Sequence, residues 1–188
     1  MLQILASGKW GLPTKWVLAT TVGWGVCQSG YPGQLLGGAL LGVLQWLVLR
    51  RIIVQPWWWV LATALAMPVA SAASMIFGMA ATPIYSGQGN IIMSVLGVPG
   101  MGAAFGAILG TAQWLVLQKN VPNAGWWILA NAGGLALYWV IEQMSKEITG
   151  FPGSISLYLL GFTIATLIFS LVTGWTLVRL LPKNGTPP

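Results

Sequence analysis

The chain has 188 residues and a formal net charge of +6, with 56% hydrophobic and only 5% charged residues, against roughly 25% charged in an ordinary soluble domain. It contains no histidine, one cysteine (Cys27) and two carboxylates, Glu142 and Glu147. These figures exclude a soluble globular domain, and they remove most of the side chains from which acid–base and transition-metal sites are built.

From the amino terminus, Met1 to Ser7 is uncharged and Lys9 follows it. A secretory leader places its basic residues ahead of its apolar run, so no cleaved targeting segment is expected. Charge-free stretches then run from Trp16 to Leu49, Ile52 to Gln118, Asn120 to Ile141 and Ile148 to Val178, which is 34, 67, 22 and 31 residues. A helix needs about 20 residues to cross roughly 30 Å of hydrocarbon. The first stretch is broken at Gln28-Ser-Gly-Tyr-Pro-Gly33 and makes two short spans, with Lys15, Arg50 and Arg51 snorkelling to the interface. The second stretch holds two spans and the others one each. The expected fold is an all-α integral membrane protein with six transmembrane helices, at about 12–29, 33–50, 57–79, 100–118, 125–143 and 157–180.

Orientation follows from the cations. With the amino terminus in the cytoplasm, Lys9, Lys15, Arg50, Arg51, Lys119, Arg179 and Lys183 lie on that side, and only Lys146 lies outside, beside Glu142 and Glu147. Both termini are then cytoplasmic. Trp10, Trp16, Trp46, Trp57, Trp58, Trp59, Trp114, Trp126, Trp127 and Trp175 fall near the same face, where indoles anchor helices at headgroup level; Trp24 and Trp139 lie deeper. The eight basic residues form no stripe, so nucleic acid is not an expected partner.

Gly38-Ala-Leu-Leu-Gly-Val-Leu-Gln-Trp-Leu-Val-Leu49 returns as Gly106-Ala-Ile-Leu-Gly-Thr-Ala-Gln-Trp-Leu-Val-Leu117, 68 positions later. The register continues through Trp58-Trp59-Val-Leu-Ala62 and Trp126-Trp127-Ile-Leu-Ala130, and Trp16-Val-Leu-Ala-Thr20 matches Trp59-Val-Leu-Ala-Thr63. A degenerate third copy aligns Trp175 and Arg179 with Trp46 and Arg50, placing Gly174 where the others have glutamine. The unit is a helical hairpin, repeated at about 12–51, 57–119 and 125–180. Units of two spans share one orientation, so three of them make a pseudo-threefold bundle about an axis along the membrane normal. Outer insertions are expected at about 80–98 and 144–156, the first as a re-entrant or interfacial segment buried against protein.

The Gly-x-x-x-Gly-x-x-Gln-Trp-Leu-Val-Leu element, followed by a basic loop and Trp-Trp, resembles a repeat in polytopic membrane proteins of cyanobacteria and related bacteria that have no established activity. The resemblance covers about 34–66 and 102–134. It implies a bacterial inner membrane or thylakoid membrane and supplies no activity.

Gly38, Gly42, Gln45 and Leu49 share one helical face, as do Gly106, Gly110, Gln113 and Leu117, with Gly102 extending the second row. Small residues let backbones approach, and an amide beside them bonds across the contact. Gln45, Gln113, Thr20, Thr63 and Asn131 should lie about 6 to 8 Å below the cytoplasmic interface as one polar layer. The layer reads first as interhelical glue and second as the mouth of a solute pathway or a headgroup site. Glu142 and Lys146, one turn apart, read as a local ion pair.

No cofactor is expected, with lipid or carotenoid the ligands left open, and no metal, since the methionines have no histidine or second cysteine to support them. The functional expectation is non-enzymatic. A structural, assembly or accessory subunit packing against a membrane-protein partner or a second copy comes first. A small-solute transporter or substrate-binding membrane component comes second, and pigment or lipid binding third. A polar cavity reaching the bilayer midplane would favour the second reading, and a dry core of Leu, Val, Ala and Gly the first.

Overall fold

A computed structural model of the chain describes residues 11–27, 33–50, 52, 53, 55, 57–85, 96–149 and 155–181. Among them are six helices: α1 Gly11–Cys27, α2 Gly33–Leu49, α3 Trp57–Tyr85, α4 Val98–Leu117, α5 Trp126–Thr149 and α6 Ile155–Leu180. Three contain stretches long and apolar enough to cross a membrane, Trp57–Ala80, Val98–Leu117 and Tyr158–Leu180. In α2, Gln34–Leu49 is apolar but shorter, and α1 has 17 residues. Two helices exceed the expected spans. α3 continues past 79 to Tyr85 and α5 past 143 to Thr149, so the near ends of both expected insertions are helix. Most of the 80–98 insertion, the break at 28–32, and Lys9, Trp10, Arg51 and Lys183 lie outside the described residues.

Each helix packs against its neighbours in the chain, and α1 also packs against α6, so the six close into a ring. Lipid tails are as apolar as leucine, so the hydrophobic effect does little to hold such helices together; close backbone approach and interhelical hydrogen bonds must do so. Glycine supplies the approach. A Cβ on Gly42 would stand 2.9 Å from Val60 Cα, and one on Gly38 would stand 2.7 Å from Met67 Cγ, so α2 lies tight on α3. Gly102, Gly106 and Gly110 clamp α4 on α5 in the same way, against Leu135 O, the Asn131 carbonyl and Ile128 Cα. All five expected packing glycines therefore face helices of their own chain.

The connections after α2 and α4 are built alike. The amides of Ile52 and Ile53 bond to Leu49 O, those of Asn120 and Val121 to Leu117 O. Gln55 and Asn123 both take the left-handed conformation, at φ 54° and 57°, and their carbonyls accept from Trp58 N and Trp126 N. Asparagine tolerates this region well; glutamine does not, so the turn is imposed on Gln55 by its surroundings.

The core is layered along the helix axes. Nearest these connections, Trp16, Leu49, Ile53, Trp59, Leu117, Val121, Ala124, Trp127 and Leu177 form one apolar cluster. One turn deeper come Thr20, Gln45, Thr63, Gln113, Asn131 and Thr173, all buried. Beyond them Trp24, Leu41, Met67, Phe105, Leu109, Leu135, Tyr138 and Phe169 belong to a second apolar cluster. Every helix contributes to all three layers at a spacing of four, as in Trp16, Thr20 and Trp24 on α1, because residues four apart share a helical face.

Candidate functional site: a polar belt and a cavity

Three indoles close the connection end of the bundle. Trp16, Trp59 and Trp127 are fully buried and stand edge-to-face in a triangle, with centroids 6.1, 5.5 and 5.8 Å apart. Such pairs contribute about 0.5 to 1.5 kcal/mol each beyond the area they bury. These tryptophans, expected at headgroup level, are core residues. The reason is their N–H groups: each has an acceptor inside the bundle, and an indole that finds one gains nothing by facing lipid. Trp57, Trp58, Trp126 and Trp175 do stay exposed. Trp57 and Trp58 stack at 4.1 Å, and the Arg179 guanidinium lies 5.1 Å from the Trp175 ring, within cation–π range.

The acceptors of the triangle are the polar belt. Trp59 Nε1 donates to Gln45 Oε1 and Trp127 Nε1 to Gln113 Oε1, both at 3.0 Å. Gln45 Nε2 donates to Thr20 Oγ1 and Gln113 Nε2 to Thr63 Oγ1, both at 3.1 Å. A 3.3 Å bond from Gln113 Nε2 to Gln45 Oε1 joins the two halves. The structure thus brings together Thr20, Gln45, Thr63 and Gln113. Asn131 is buried in the same layer but turns to its own helix, donating to Trp127 O at 2.9 Å.

The third indole uses a residue that the sequence alignment passed over. Trp16 Nε1 donates to Thr173 Oγ1 at 3.1 Å, one position before the Gly174 aligned with the glutamines. Gly174 instead makes room for the indole, since a Cβ there would meet Trp16 Cδ1 at 3.0 Å. A signal was present. Thr166, Ser170 and Thr173 repeat the spacing of Gly38, Gly42 and Gln45, and all three are buried. Ser170 lies 3.3 Å from Thr21 across the α1–α6 contact. The belt lies between two apolar clusters and is bonded within itself across α1, α2, α3 and α4.

At the opposite end of the bundle lies a cavity of about 480 Å³, lined by residues of all five helices from α1 to α5. Its walls include Cys27, Met67, Met75, Met101, Phe105 and Trp139, with Ser71, Ser74, Gln34, Glu142, Gln143 and Lys146 among its polar residues. Met67 is ten residues into α3 from Trp57, about 15 Å along the axis, so the cavity extends well into the bundle. Lys146 Nζ and Glu142 Oε1 pair at 2.9 Å, and Tyr158 donates to the same carboxylate oxygen at 3.1 Å. Compared with known protein families, with curated proteins and with solved structures, the chain matches none.

Of the lining residues, Ser71 has a buried hydroxyl without a hydrogen-bond partner, while the Trp24 indole meets Tyr138, edge-on at 5.6 Å and within hydrogen-bond reach of its hydroxyl. Both residues are more than nine-tenths buried, Trp24 at 1% exposure and Ser71 at 6%. Neither residue stands out in the sequence as a site residue. Among the described residues no cluster of His, Cys, Asp or Glu could hold a metal ion.

Proposed function

We propose that the chain is an integral membrane protein of six spans, three repeated hairpins about an axis normal to the bilayer, that binds a small molecule in the cavity facing away from the cytoplasm. It acts by binding, without chemistry of its own. The cavity, walled by five helices with apolar and polar side chains side by side, is the observation that carries this reading. A volume of a few hundred Å³ and a concave wall where polar groups converge beside apolar ones are attributes of a small-molecule site. The repeat is supported by the 68-residue sequence offset, by the left-handed Gln55 and Asn123 at that same offset, and by the indole triangle. The bias of Lys and Arg toward one end supports both termini inside, and the resemblance of the repeat to that of bacterial polytopic proteins favours an inner or thylakoid membrane. The short α1 and α2 then span with snorkelling cations at their ends.

The buried belt and indole triangle lie at the end of the bundle opposite the cavity, which supports a substrate-binding component over an open channel. An accessory subunit would have to dock through surfaces other than the glycine rows, which its own helices cover. One concave surface of that kind is an apolar groove between α3 and α4, of about 560 Å³, with Lys119 and Gln55 among its lining residues; a lipid chain or a partner helix fits it. Isolation from native membrane in mild detergent, followed by mass and absorbance analysis, tests the binding reading. A stoichiometric small molecule that is absent from a Ser71→Phe variant is expected. Its absence from the wild-type protein, with another membrane protein present at fixed ratio, would favour the accessory role.

A further inference from the structure

We infer that the groove between α3 and α4 holds the acyl chain of an anionic phospholipid, with Lys119 and Gln55 at its mouth taking the phosphate. The site is separate from the cavity and stands whether or not the cavity binds anything.

The charge of the occupant follows from the mouth. Apart from Gln55 and Lys119, the lining consists of Leu, Ala, Val, Ile and one tryptophan, Trp58. Gln55 lies in the connection after α2 and Lys119 in the connection after α4, at the same end of the bundle. The chain's two carboxylates, Glu142 and Glu147, are both on α5, and Glu142 lines the cavity at the opposite end. No acidic side chain is near to answer Lys119, and a lipid phosphate would. Trp58 is exposed beside them, as an indole at headgroup level is.

The length of the groove selects a lipid over a helix. Its lining runs from Trp58 to Val69 on α3 and from Ile108 to Lys119 on α4, eleven residues in each case, or about 16 Å along the axis. One leaflet has that depth, half of roughly 30 Å. A lipid tail ends there, whereas a partner helix or a second copy would run the full width of the bilayer.

The helix pairs α1–α2 and α5–α6 show why the groove is here. Seven residues past Trp16 and Trp127 stand Gly23 and Gly134, where a Cβ would meet Leu41 Cα at 2.7 Å and Phe169 Cδ2 at 2.9 Å. At the same distance past Trp59 stands Ala66, which lines the groove. Ahead of the buried glutamine, α2 has Leu44 and α4 has Ala112, and Ala112 also belongs to the lining. The second hairpin therefore carries a methyl group where the others press together, and lacks a leucine where the first is filled.

Native mass spectrometry of the full chain in mild detergent, titrated with dioleoylphosphatidylglycerol or dioleoylphosphatidylcholine, makes the test. The two lipids share their chains and differ in net charge. One phosphatidylglycerol should bind ahead of all others, about fivefold more tightly than the first phosphatidylcholine, which is the effect of a single lysine at a membrane surface. Lys119→Gln should erase that preference and Lys119→Arg should keep it; the residue is exposed, so folding is not at stake. Ala112→Leu, which fills the groove as Leu44 fills the first hairpin, should remove the tight site for both lipids; should that variant not fold, the Lys119 pair decides. Equal binding of the two lipids by wild type, a preference that survives Lys119→Gln, or a tight site that survives in folded Ala112→Leu would overturn the inference. So would a dimer without a tight lipid site that Ala112→Leu splits into monomers, which would give the groove to a second copy.

Discussion

Gln113→Leu removes the acceptor of Trp127 Nε1 and the donor to Thr63 and Gln45 while keeping roughly the same side-chain volume. Each neighbour responds differently. Thr63 can turn its hydroxyl to its own helix, as Thr173 does toward Phe169 O at 3.0 Å. Gln45 Oε1 still receives Trp59 Nε1 at 3.0 Å. Trp127 Nε1, in a fully buried residue, has nowhere to turn. An orphaned buried donor costs about 1 to 3 kcal/mol, and interhelical bonds in membrane bundles average about 0.6 kcal/mol. A loss of about 2 kcal/mol is expected, a roughly thirtyfold change in the unfolding constant. Reversible unfolding in mixed micelles of rising SDS fraction, followed by circular dichroism, measures it. The decisive comparison adds Trp127→Phe, which deletes the orphan. The double variant should be about 1 kcal/mol more stable than the sum of the single effects, a coupling typical of residues in contact. A Gln113→Leu protein within about 0.3 kcal/mol of wild type, or strict additivity in the double variant, would show that the belt does not hold the bundle together.

Gly106→Ala and Gly133→Ala pose one substitution in two settings. The first drives a methyl group into the Asn131 carbonyl and should cost 2 kcal/mol or more, at about the level of overpacking. The second meets nothing within 4 Å and should be neutral or stabilising by up to about 1 kcal/mol, in the same SDS titration. Glu142→Gln breaks an ion pair whose lysine is 38% exposed, so the SDS midpoint should move by no more than about 0.5 kcal/mol; a shift several times larger would mean that the pair braces α5. Cysteines placed at Arg50 and Lys119 in a Cys27→Ser background should label from the cytoplasmic side and one at Lys146 from the other; labelling of Arg50 and Lys119 from opposite sides would dismantle the six-span topology.

Much of this architecture is written locally. Immersion in lipid follows from composition, helix positions follow from the lengths between charges, and the duplicated Gln-Trp element is visible as a string. Gln45, Gln113, Thr20 and Thr63 were legible as one layer because a polar side chain in an apolar segment must find partners, and helical spacing limits where those partners lie. Burial was not legible. In water a helix shows its inner face by the polarity of its outer one; in a bilayer both faces are apolar, so hydropathy does not separate Trp59, at the centre, from Trp58, at the rim, and only the four-residue spacing of Trp59 from Thr63 does. That difference depends on the ring closing through α1 and α6, which places Thr173 against Trp16 and leaves Trp24 and Ser71 beside a cavity shared by five helices. Contacts between residues more than a hundred positions apart exist only once the helices are assembled: the spacing of Thr166, Ser170 and Thr173 marks a face of α6 but does not say which helix it meets.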